Sequence, residues 1–428
     1  MKPIFLSRLS YALLLALCAA AFSRAEGPSP AVPIETVVEE IGRNNPELLF
    51  YEQEIAAART GERVAGMWNN PELGLQGGRK TVSDPGGTLS GEGAAWSVSV
   101  TQTFEWPGRL DLRKAIANRQ IKLAELGLAR FKAALAARAR NLAYGLMAAQ
   151  EKADATDEVA GRYGALRELF LSREPGGITP LLETRVIEAQ ELAIKRRAAD
   201  ARLAAQAAAV ELNQLRGAPL DACWQPANGN LVFRSAPPLA ALLAAAKENN
   251  FEFRMKKVEL EEQGLEVSLA RNERYPAVSV GPFMSQDKAG DRETVVGLSL
   301  SVPLPLNSRS RAGVDLAEVR RRQAETQVLV AERDLEREVI TAQQTYSAKL
   351  ESVASWKPES VAQFRDAAAL ADRHYRLGAV PLATYVELQG AYLDAVEALL
   401  DTKREALEAG QQIELLTGLD FKAVELQP

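Results

Sequence analysis

The residue types that carry out most protein chemistry are scarce in this chain. Its 428 residues include one histidine, two cysteines and five methionines. The lone histidine, His374, leaves few ways to build a Ser-His-Asp triad or a catalytic metal site, which needs several ligands. Two cysteines, Cys18 and Cys223, cannot form a disulfide framework. The sequence therefore predicts neither an enzyme nor a bound metal or cofactor.

The overall composition narrows the class of protein further. The chain is 47% apolar, 25% charged and only 6% aromatic, with a net charge of −5. Long runs rich in Ala, Leu, Glu, Arg and Gln, with few aromatic residues, are typical of extended helices. A net negative charge gives no electrostatic basis for binding nucleic acid. Beyond the N-terminus no uncharged run reaches about 18 residues, so no membrane-spanning helix is predicted.

The first 25 residues have the pattern of an export signal. Two basic residues precede an apolar run at 9–22, and Ser23-Arg24-Ala25 forms a small-x-small cleavage site. We expect the mature chain to begin near Glu26. Cleavage would remove three of the 51 bases and none of the 56 acids, which changes the net charge from −5 to −8.

The rest of the chain contains an internal repeat. Short landmarks recur in the same order at an offset of roughly 200 residues, and such internal repeats decide the architecture. The landmarks pair residues 44–48 with 249–253, Pro107 with Pro305, 177–181 with 378–382, and 215–217 with 416–418. Several landmarks in register indicate a tandem duplication.

This duplication predicts the organisation of the chain. We expect a signal peptide (1–25), a first repeat (26–217), a linker (218–238), a second repeat (239–418) and a C-terminal tail (419–428). Each repeat should contain a helix of about 35 residues, two strands, a very long helix, a turn and a helix of about 40 residues. The first helices are predicted at 34–67 and 239–274, and the long helices end near 172 and 377.

The long helices imply an extended body. The stretch from Pro107 to residue 172 would measure about 100 Å as a helix, longer than a globular domain accommodates. Its apolar residues follow three- and four-residue spacing in a narrow, alanine-rich stripe that suits coiled-coil hairpins. On the helices alone, a purely structural rod is the competing interpretation.

The strand segments favour a membrane protein instead. Apolar and polar side chains alternate in residues 96–106, and residues 295–304 repeat the pattern. Strands of about ten residues with one apolar face, one polar face and aromatic ends are typical of membrane β-barrels. A small soluble hairpin is the alternative, but the Gly/Asp-rich segments 80–93 and 285–294, predicted as loops, and the export signal count against it.

Four strands cannot close a barrel, because even small barrels need about eight. Lipid tolerates no open sheet edge. The barrel must therefore be shared among subunits, with eight strands from a dimer or twelve from a trimer. Trp96, Phe104 and Trp106 would form its aromatic girdle, or would pack between subunits.

Four motifs, in this order and spacing, point to a family. They are Asn45-Pro46-Glu47-Leu48, Asn70-Pro71-Glu72-Leu73, Thr101-Gln102-Thr103-Phe104-Glu105-Trp106-Pro107-Gly108-Arg109 and Arg373-His374-Tyr375-Arg376-Leu377-Gly378. Together with the duplication, they make essentially the whole mature chain resemble the TolC-type outer-membrane efflux proteins. The doubled Asn-Pro-Glu-Leu and the Phe-Glu-Trp-Pro-Gly-Arg segment most resemble the heavy-metal branch typified by CzcC and CusC. The chain departs from some relatives in lacking a lipid-anchor cysteine, since Leu17 precedes Cys18 where a small residue is needed.

The resemblance implies a mainly α fold with a small β part. Duplicated helical hairpins would form a periplasmic tunnel, and four strands per chain would contribute to a trimeric twelve-stranded barrel in the outer membrane. Such a homotrimer works with a periplasmic adaptor (membrane fusion) protein and an inner-membrane pump of the RND type, and performs no chemistry. The predicted function is the passive exit duct of a tripartite efflux system for heavy-metal cations. An exit duct for drugs or for type I protein secretion, and a periplasmic coiled-coil tether without a pore, are the alternatives.

In this family the two helix turns form a periplasmic tip that is both gate and adaptor dock. The resemblance places gate residues at Glu183, Thr384 and Glu387, with Thr384 standing where relatives carry an acid. Three copies of the two glutamates would form rings that attract cations, or they are solvated residues that favour the helix dipole. The other tip and adaptor-docking candidates are Arg173, Gly177, Pro180, Arg373, Arg376, Gly378 and Pro381. The arginines could instead form simple solvated ion pairs.

Overall fold

The computed structural model describes residues 31–171, 178–222, 225–227, 230–304, 308–357 and 359–427. The predicted signal peptide, both cysteines, Arg173 and Gly177 lie outside these ranges. The fold is mainly helical with a small strand part, which confirms the predicted fold class. In chain order the elements are β1 (Ala31–Val32), α1 (Ile34–Asn44), α2 (Leu48–Ala65), β2 (Glu72–Ser83), β3 (Leu89–Phe104), α3 (Arg109–Leu171), α4 (Ile178–Arg216), β4 (Gln225–Pro226), β5 (Asn230–Phe233), α5 (Leu239–Asn249), α6 (Phe251–Asn272), β6 (Val278–Ala289), β7 (Asp291–Ser301), α7 (Arg309–Ser355), α8 (Ser360–Arg376), α9 (Leu382–Thr417) and β8 (Val424–Gln427).

Each repeat begins with two helices where the sequence predicted one. α1 and α2 replace the helix expected at 34–67, and α5 and α6 replace the one expected at 239–274. Asn45 and Asn250 have extended backbone at the breaks, with ψ of 125° and 124°. Pro46 explains the first break, because a proline disfavours helical backbone in the residue before it. Asn250 instead caps α6, since its side chain accepts a hydrogen bond from the first turn of that helix.

The long helices differ between the repeats. α3 is a single helix of 63 residues, about 95 Å long, close to its predicted extent. The prediction of one helix ending near 377 was wrong, because α7 ends at Ser355 and α8 begins at Ser360. Pro358 lies between them in the sequence, and a proline lacks an N–H donor and restricts the residue before it. None of the described helices is long and apolar enough to cross a membrane.

Three clusters of buried side chains hold the helices together. In the first repeat, Ile34, Val37 and Ile41 recur on one face of α1 and pack on α3 and α4. α5 packs in the same way on α7 and α9 in the second repeat. The third cluster joins the repeats, because α3 and α4 meet α8 and α9 around Tyr163 and Tyr385.

The four long strands form one antiparallel sheet in the order β2-β3-β6-β7. Each repeat contributes one hairpin, and β3 pairs with β6 across the repeat boundary. Strand pairing extends through most of 80–93 and 285–294, so the prediction of long loops there was wrong. The turns are short, and Gly87 and Gly290 occupy them with φ of 84° and 103°, a backbone that favours glycine.

The segment between the repeats ties both ends of the described chain to the helical body. β4 pairs in parallel with β1, and β5 pairs antiparallel with β8. Tyr346 of α7 holds the second of these small sheets. Its hydroxyl lies 2.6 Å from the carbonyl oxygen of Arg234 and 2.9 Å from that of Ala423.

Candidate functional sites: the strand sheet and the hairpin tip

One face of the four-stranded sheet is apolar and exposed. Directly paired residues share a face, as Leu75 does with Val98 and Met284 with Val296. Val296 is 74% exposed. The other apolar members of this face are Leu73, Trp96, Val100, Phe104, Val278, Val280, Pro282, Leu298 and Leu300, and Gln102 of β3 interrupts them. Along β3 the apolar band from Phe104 to Trp96 measures about 26 Å. A contiguous apolar surface of this kind marks an interaction site.

The opposite face of the sheet is mostly polar, so the alternation predicted from the sequence extends to all four strands, with Phe283, Val295 and Val82 as apolar exceptions on this face. The hydroxyls of Thr103 and Ser279 lie 2.9 Å apart across the β3–β6 pairing. The small and polar residues of this face are Gly74, Gln76, Ser97, Ser99, Thr101, Ser285, Gly297, Ser299 and Ser301.

The outer edges of the sheet pair with no other strand of the described chain. β2 and β7 are its terminal strands, so each presents a row of backbone N–H and C=O groups. The sheet therefore leaves two hydrogen-bonding edges, in addition to its apolar face, for other partners.

The predicted girdle residues lie at the two ends of the apolar band. Trp106 follows β3 and stacks on Tyr275, with ring centroids 4.7 Å apart. Phe104 packs edge-to-face against Trp68 at 5.9 Å. Trp96 lies towards the hairpin turns, at the other end of the band, and is 40% exposed. Aromatic rings thus mark both ends of the band, including two that the sequence analysis did not single out.

A glycine and a proline among the tip candidates form the turn of the second hairpin. Gly378 has a φ of 72° and ends α8 in a Schellman motif, with the Gly378 N–H bonded to the Tyr375 carbonyl and the Ala379 N–H to the His374 carbonyl. Pro381 immediately precedes α9. In the first tip, Pro180 lies in the first turn of α4.

A hydrogen bond between the hairpins involves one of the predicted gate residues. The Tyr375 hydroxyl of α8 donates to Glu183 Oε2 of α4 at 3.4 Å. The Tyr375 ring stacks on Tyr385, which in turn meets Tyr163 edge-to-face. Burial and the nearby Glu183 carboxylate raise the pKa of Tyr375, and burial raises the pKa of Tyr163 to about 12. Both therefore stay protonated at neutral pH.

The remaining tip residues are spread over several surfaces. Thr384 is half-buried, whereas Glu387 is exposed on α9. Arg373 is exposed, and Arg376 pairs with Asp372 one turn earlier in α8, with 2.9 Å between Nε and Oδ2. The Arg376 contact is a local pair within one helix. No group of three or more His, Cys, Asp and Glu in the described ranges could hold a metal ion.

A polar network around the buried Gln389 was missed by sequence reasoning. Gln389 is fully buried, accepts a 2.9 Å hydrogen bond from Arg162 and donates one of 2.7 Å to the Ala368 carbonyl. Glu158 bonds Arg162 in its own helix and pairs with Arg365 of α8 at 3.0 Å. These contacts fasten α3 to α8 and α9. A charged residue on a helix gives no sequence signal of which distant helix it will face.

Comparison with known proteins agrees with this architecture. Residues 242–419 match the family described as Outer membrane efflux protein. No curated protein matches the chain by sequence. The fold is similar to the solved structures of CusC (14% identity, TM-score 0.68, 92% of this chain and 95% of that chain covered), of a membrane protein from Pseudomonas aeruginosa (17%, 0.72, 91% and 91%) and of the outer membrane channel CmeC from Campylobacter jejuni (14%, 0.69, 90% and 85%).

These likenesses establish the class of fold. The second half of the chain matches the efflux family by sequence, and both halves have the fold of solved outer-membrane channels. The predicted resemblance is confirmed at this level. CusC and CmeC share the same 14% identity with the chain, so the likenesses favour no particular branch.

Proposed function

We propose that the chain is the outer-membrane exit duct of a tripartite efflux system. This proposal rests on the sheet, which is apolar on one exposed face and mostly polar on the other, and whose two edges pair with no strand in the described part of the chain. Lipid would cover the apolar face, and the polar face would line an aqueous lumen. A soluble coiled-coil tether would gain nothing from such an exposed apolar band.

We further propose that three copies complete the duct as a homotrimer. Four strands per chain make twelve in a trimer, and a closed barrel leaves no edge in lipid. The helices support the same arrangement. α3 packs on α6 and α9 of the second repeat, so its counterpart α7 would use the same kind of surface against α2 and α4 of another copy. Exposed apolar residues occupy both sides of that interface, among them Leu316, Val319 and Val330 on α7 and Leu182, Leu192 and Leu203 on α4.

The barrel proposal is tested by placing one charge on either face of the same strand. Leu298→Arg puts a cation on the apolar face of β7, and Ser299→Arg puts one on the polar face. A lipid-facing arginine near the middle of the bilayer costs about 2–4 kcal/mol, whereas a lumen-facing one does not.

The measurement is recovery of the protein in outer-membrane fractions, followed by conductance in planar bilayers. We expect membrane insertion to fall strongly for Leu298→Arg and to persist for Ser299→Arg. Recovery of the unaltered protein as a soluble periplasmic monomer would contradict the duct.

For cargo and partners we propose heavy-metal cations, a periplasmic adaptor and an RND-type inner-membrane pump. The cargo proposal is supported by the doubled Asn-Pro-Glu-Leu motif and by the Phe104–Arg109 segment of the sequence. Deletion of the gene should sensitise cells to zinc, cobalt, cadmium, copper or silver. Sensitivity to dyes and detergents without sensitivity to metals would exclude metal cargo and favour drug export.

We propose that the two hairpin turns form the gate, with Glu183 and Glu387 as negative rings in the trimer. Replacing both with glutamine should lower the cation permeability of the open channel, because the rings would no longer raise the local cation concentration. Glu188→Gln is the matched control, since Glu188 lies farther along α4 and pairs with Arg185 of its own helix. Equal reversal potentials for the double variant and for Glu188→Gln would refute the assignment of Glu183 and Glu387 to negative rings.

A further inference from the structure

The hairpin end of the sheet carries an ion triad on its polar face. Lys80 of β2 places its Nζ 3.1 Å from Asp287 Oδ2 of β6 and 3.1 Å from Glu293 Oε2 of β7. Lys80 and Asp287 are each 33% exposed. The triad links three strands, and two of them come from the other repeat.

The strand register explains how one lysine reaches so far. Asp287 and Glu293 are paired directly across β6 and β7, and Lys80 is paired with Gly93 of β3. Ala95 of β3 is paired with Asp287. Gly93 and Ala95 have no bulky side chains on the polar face of β3. The Lys80 side chain can therefore extend across β3 to the two acids.

The two faces of the sheet carry opposite charge at this end. The charged residues on the polar face are Lys80 and three acids, Asp287, Glu293 and Asp291. Asp291 lies on this face because it is paired with Ala289. On the apolar side, beyond the apolar band, the charged residues are Arg79, Glu92, Lys288 and Arg292. At the hairpin end the described strands therefore have an excess of two negative charges on the polar face and of two positive charges on the other.

We propose that this triad is a cation-favouring selectivity element at the exit end of the duct. The inference rests on the proposed channel function, in which the polar face lines the lumen and the hairpin turns lie farthest from the helices. Three copies would place six excess negative charges around the exit. A ring of one sign with low-dielectric walls raises the local concentration of ions of the opposite sign. Lys80 holds the acids in place and limits their net charge, so the element favours cations without binding them tightly.

The test compares charge changes on the two faces of the same strand end. Lys80→Gln removes a positive charge from the polar face, and Asp287→Asn with Glu293→Gln removes two negative charges from it. Arg292→Gln is the matched control, because it removes a positive charge next to Glu293 but on the opposite face. The measurement is the reversal potential in planar bilayers under a KCl gradient, at about 0.1 M and about 1 M salt.

We expect Lys80→Gln to raise the ratio of potassium to chloride permeability by about twofold or more, and the double variant to lower it by a similar factor. Both shifts should shrink in the higher salt, where charges are screened over a few ångströms. Loss of folding cannot imitate this result, since it lowers the number of channels and does not shift the ratio in opposite directions. Conducting channels whose ratio changes no more than that of Arg292→Gln would contradict the selectivity element alone. Absence of conductance in every protein, the unaltered chain included, would contradict the channel and this inference together.

Discussion

The two repeats join their helices by the same contact, although their sequences differ around it. Asn45 donates from its side chain to the Leu215 carbonyl at the end of α4, and Asn250 donates to the Leu416 carbonyl at the end of α9, each at 3.0 Å. The glycine that follows, Gly217 or Gly418, has φ of 66° or 62°. In both repeats the asparagine thus satisfies a carbonyl that the helix end leaves unpaired.

The repeats differ in what surrounds this junction. By their places in the two buried clusters, Leu146 of α3 corresponds to Tyr346 of α7. Only the tyrosine carries a hydroxyl, which reaches the segment between the repeats and the C-terminal tail. The second repeat also carries the break between α7 and α8, whereas α3 is continuous. The junction is thus common to both repeats, and in the second repeat Tyr346 also anchors the segment between the repeats and the C-terminal tail.

Substitution of Tyr346 tests that anchor. Tyr346→Ala should lower the free energy of unfolding by about 3–5 kcal/mol, because it empties a fully buried site. Tyr346→Phe keeps the ring and loses only the hydroxyl, so it should cost about 1–3 kcal/mol. Guanidinium unfolding of the detergent-solubilised protein, followed by circular dichroism, measures both. Equal losses for the two variants would show that the hydroxyl alone supplies the anchor.

Alkaline pH should destabilise the core shared by the repeats more than the core of the first repeat. The shared cluster contains Tyr163, whose pKa is raised from 10 to about 12 by burial, whereas the buried cluster around α1 contains no tyrosine. Because the pKa is raised in the folded state, the protonated Tyr163 contributes to the stability of the fold. This contribution is fully present below pH 10 and is lost as pH rises from about 10 to 12. The loss should reach about 3 kcal/mol when Tyr163 is fully ionised.

Thermal unfolding of the unaltered chain and of Tyr163→Phe across this pH range gives the measurement. The variant cannot ionise at this position, so its melting temperature should fall less steeply above pH 10. Parallel pH profiles for the two proteins would contradict a role for Tyr163.

Removing the shared junction should affect both repeats alike. Asn45→Ala and Asn250→Ala each leave a buried helix-end carbonyl without its donor, which costs about 1–3 kcal/mol. Asn44→Ala is the matched control, since its side chain is exposed next to the first junction. Denaturant midpoints measure all three. A much larger loss for one asparagine than for the other would show that the two junctions are not equivalent.

The sequence predicted those features that depend on local pattern. Alternation at 96–106 indicated a sheet with two unlike faces. The landmarks 44–48 and 215–217 were recognised as repeats, but their contact with one another was not. A contact between residues 170 positions apart needs the packed helices before it can be seen.

Other features were missed for two separate physical reasons. Pro46 and Pro358 signalled the helix breaks, but continuous helical periodicity on either side outweighed them. The Lys80 triad and the Tyr375–Glu183 contact gave no such signal. The triad depends on the register of β3 against β6, and the tyrosine contact depends on how α8 faces α4. Side-chain partners across a repeat boundary are fixed by tertiary packing and leave no periodicity in the sequence.

The repeats differ again at the tip. Glu183 of the first repeat corresponds to Thr384 of the second at the offset of the turn glycines, and Glu183 accepts a hydrogen bond from Tyr375. Their 3.4 Å hydrogen bond is long and half-exposed, and its loss in Tyr375→Phe should cost about 0.5–1.5 kcal/mol. If this bond helps to hold the proposed gate closed, the open probability in planar bilayers rises by about two- to tenfold. Arg376→Gln, which breaks the pair with Asp372 inside α8, should leave it unchanged. An equal rise for both variants would attribute gating to the charge of the tip and not to the link between the hairpins.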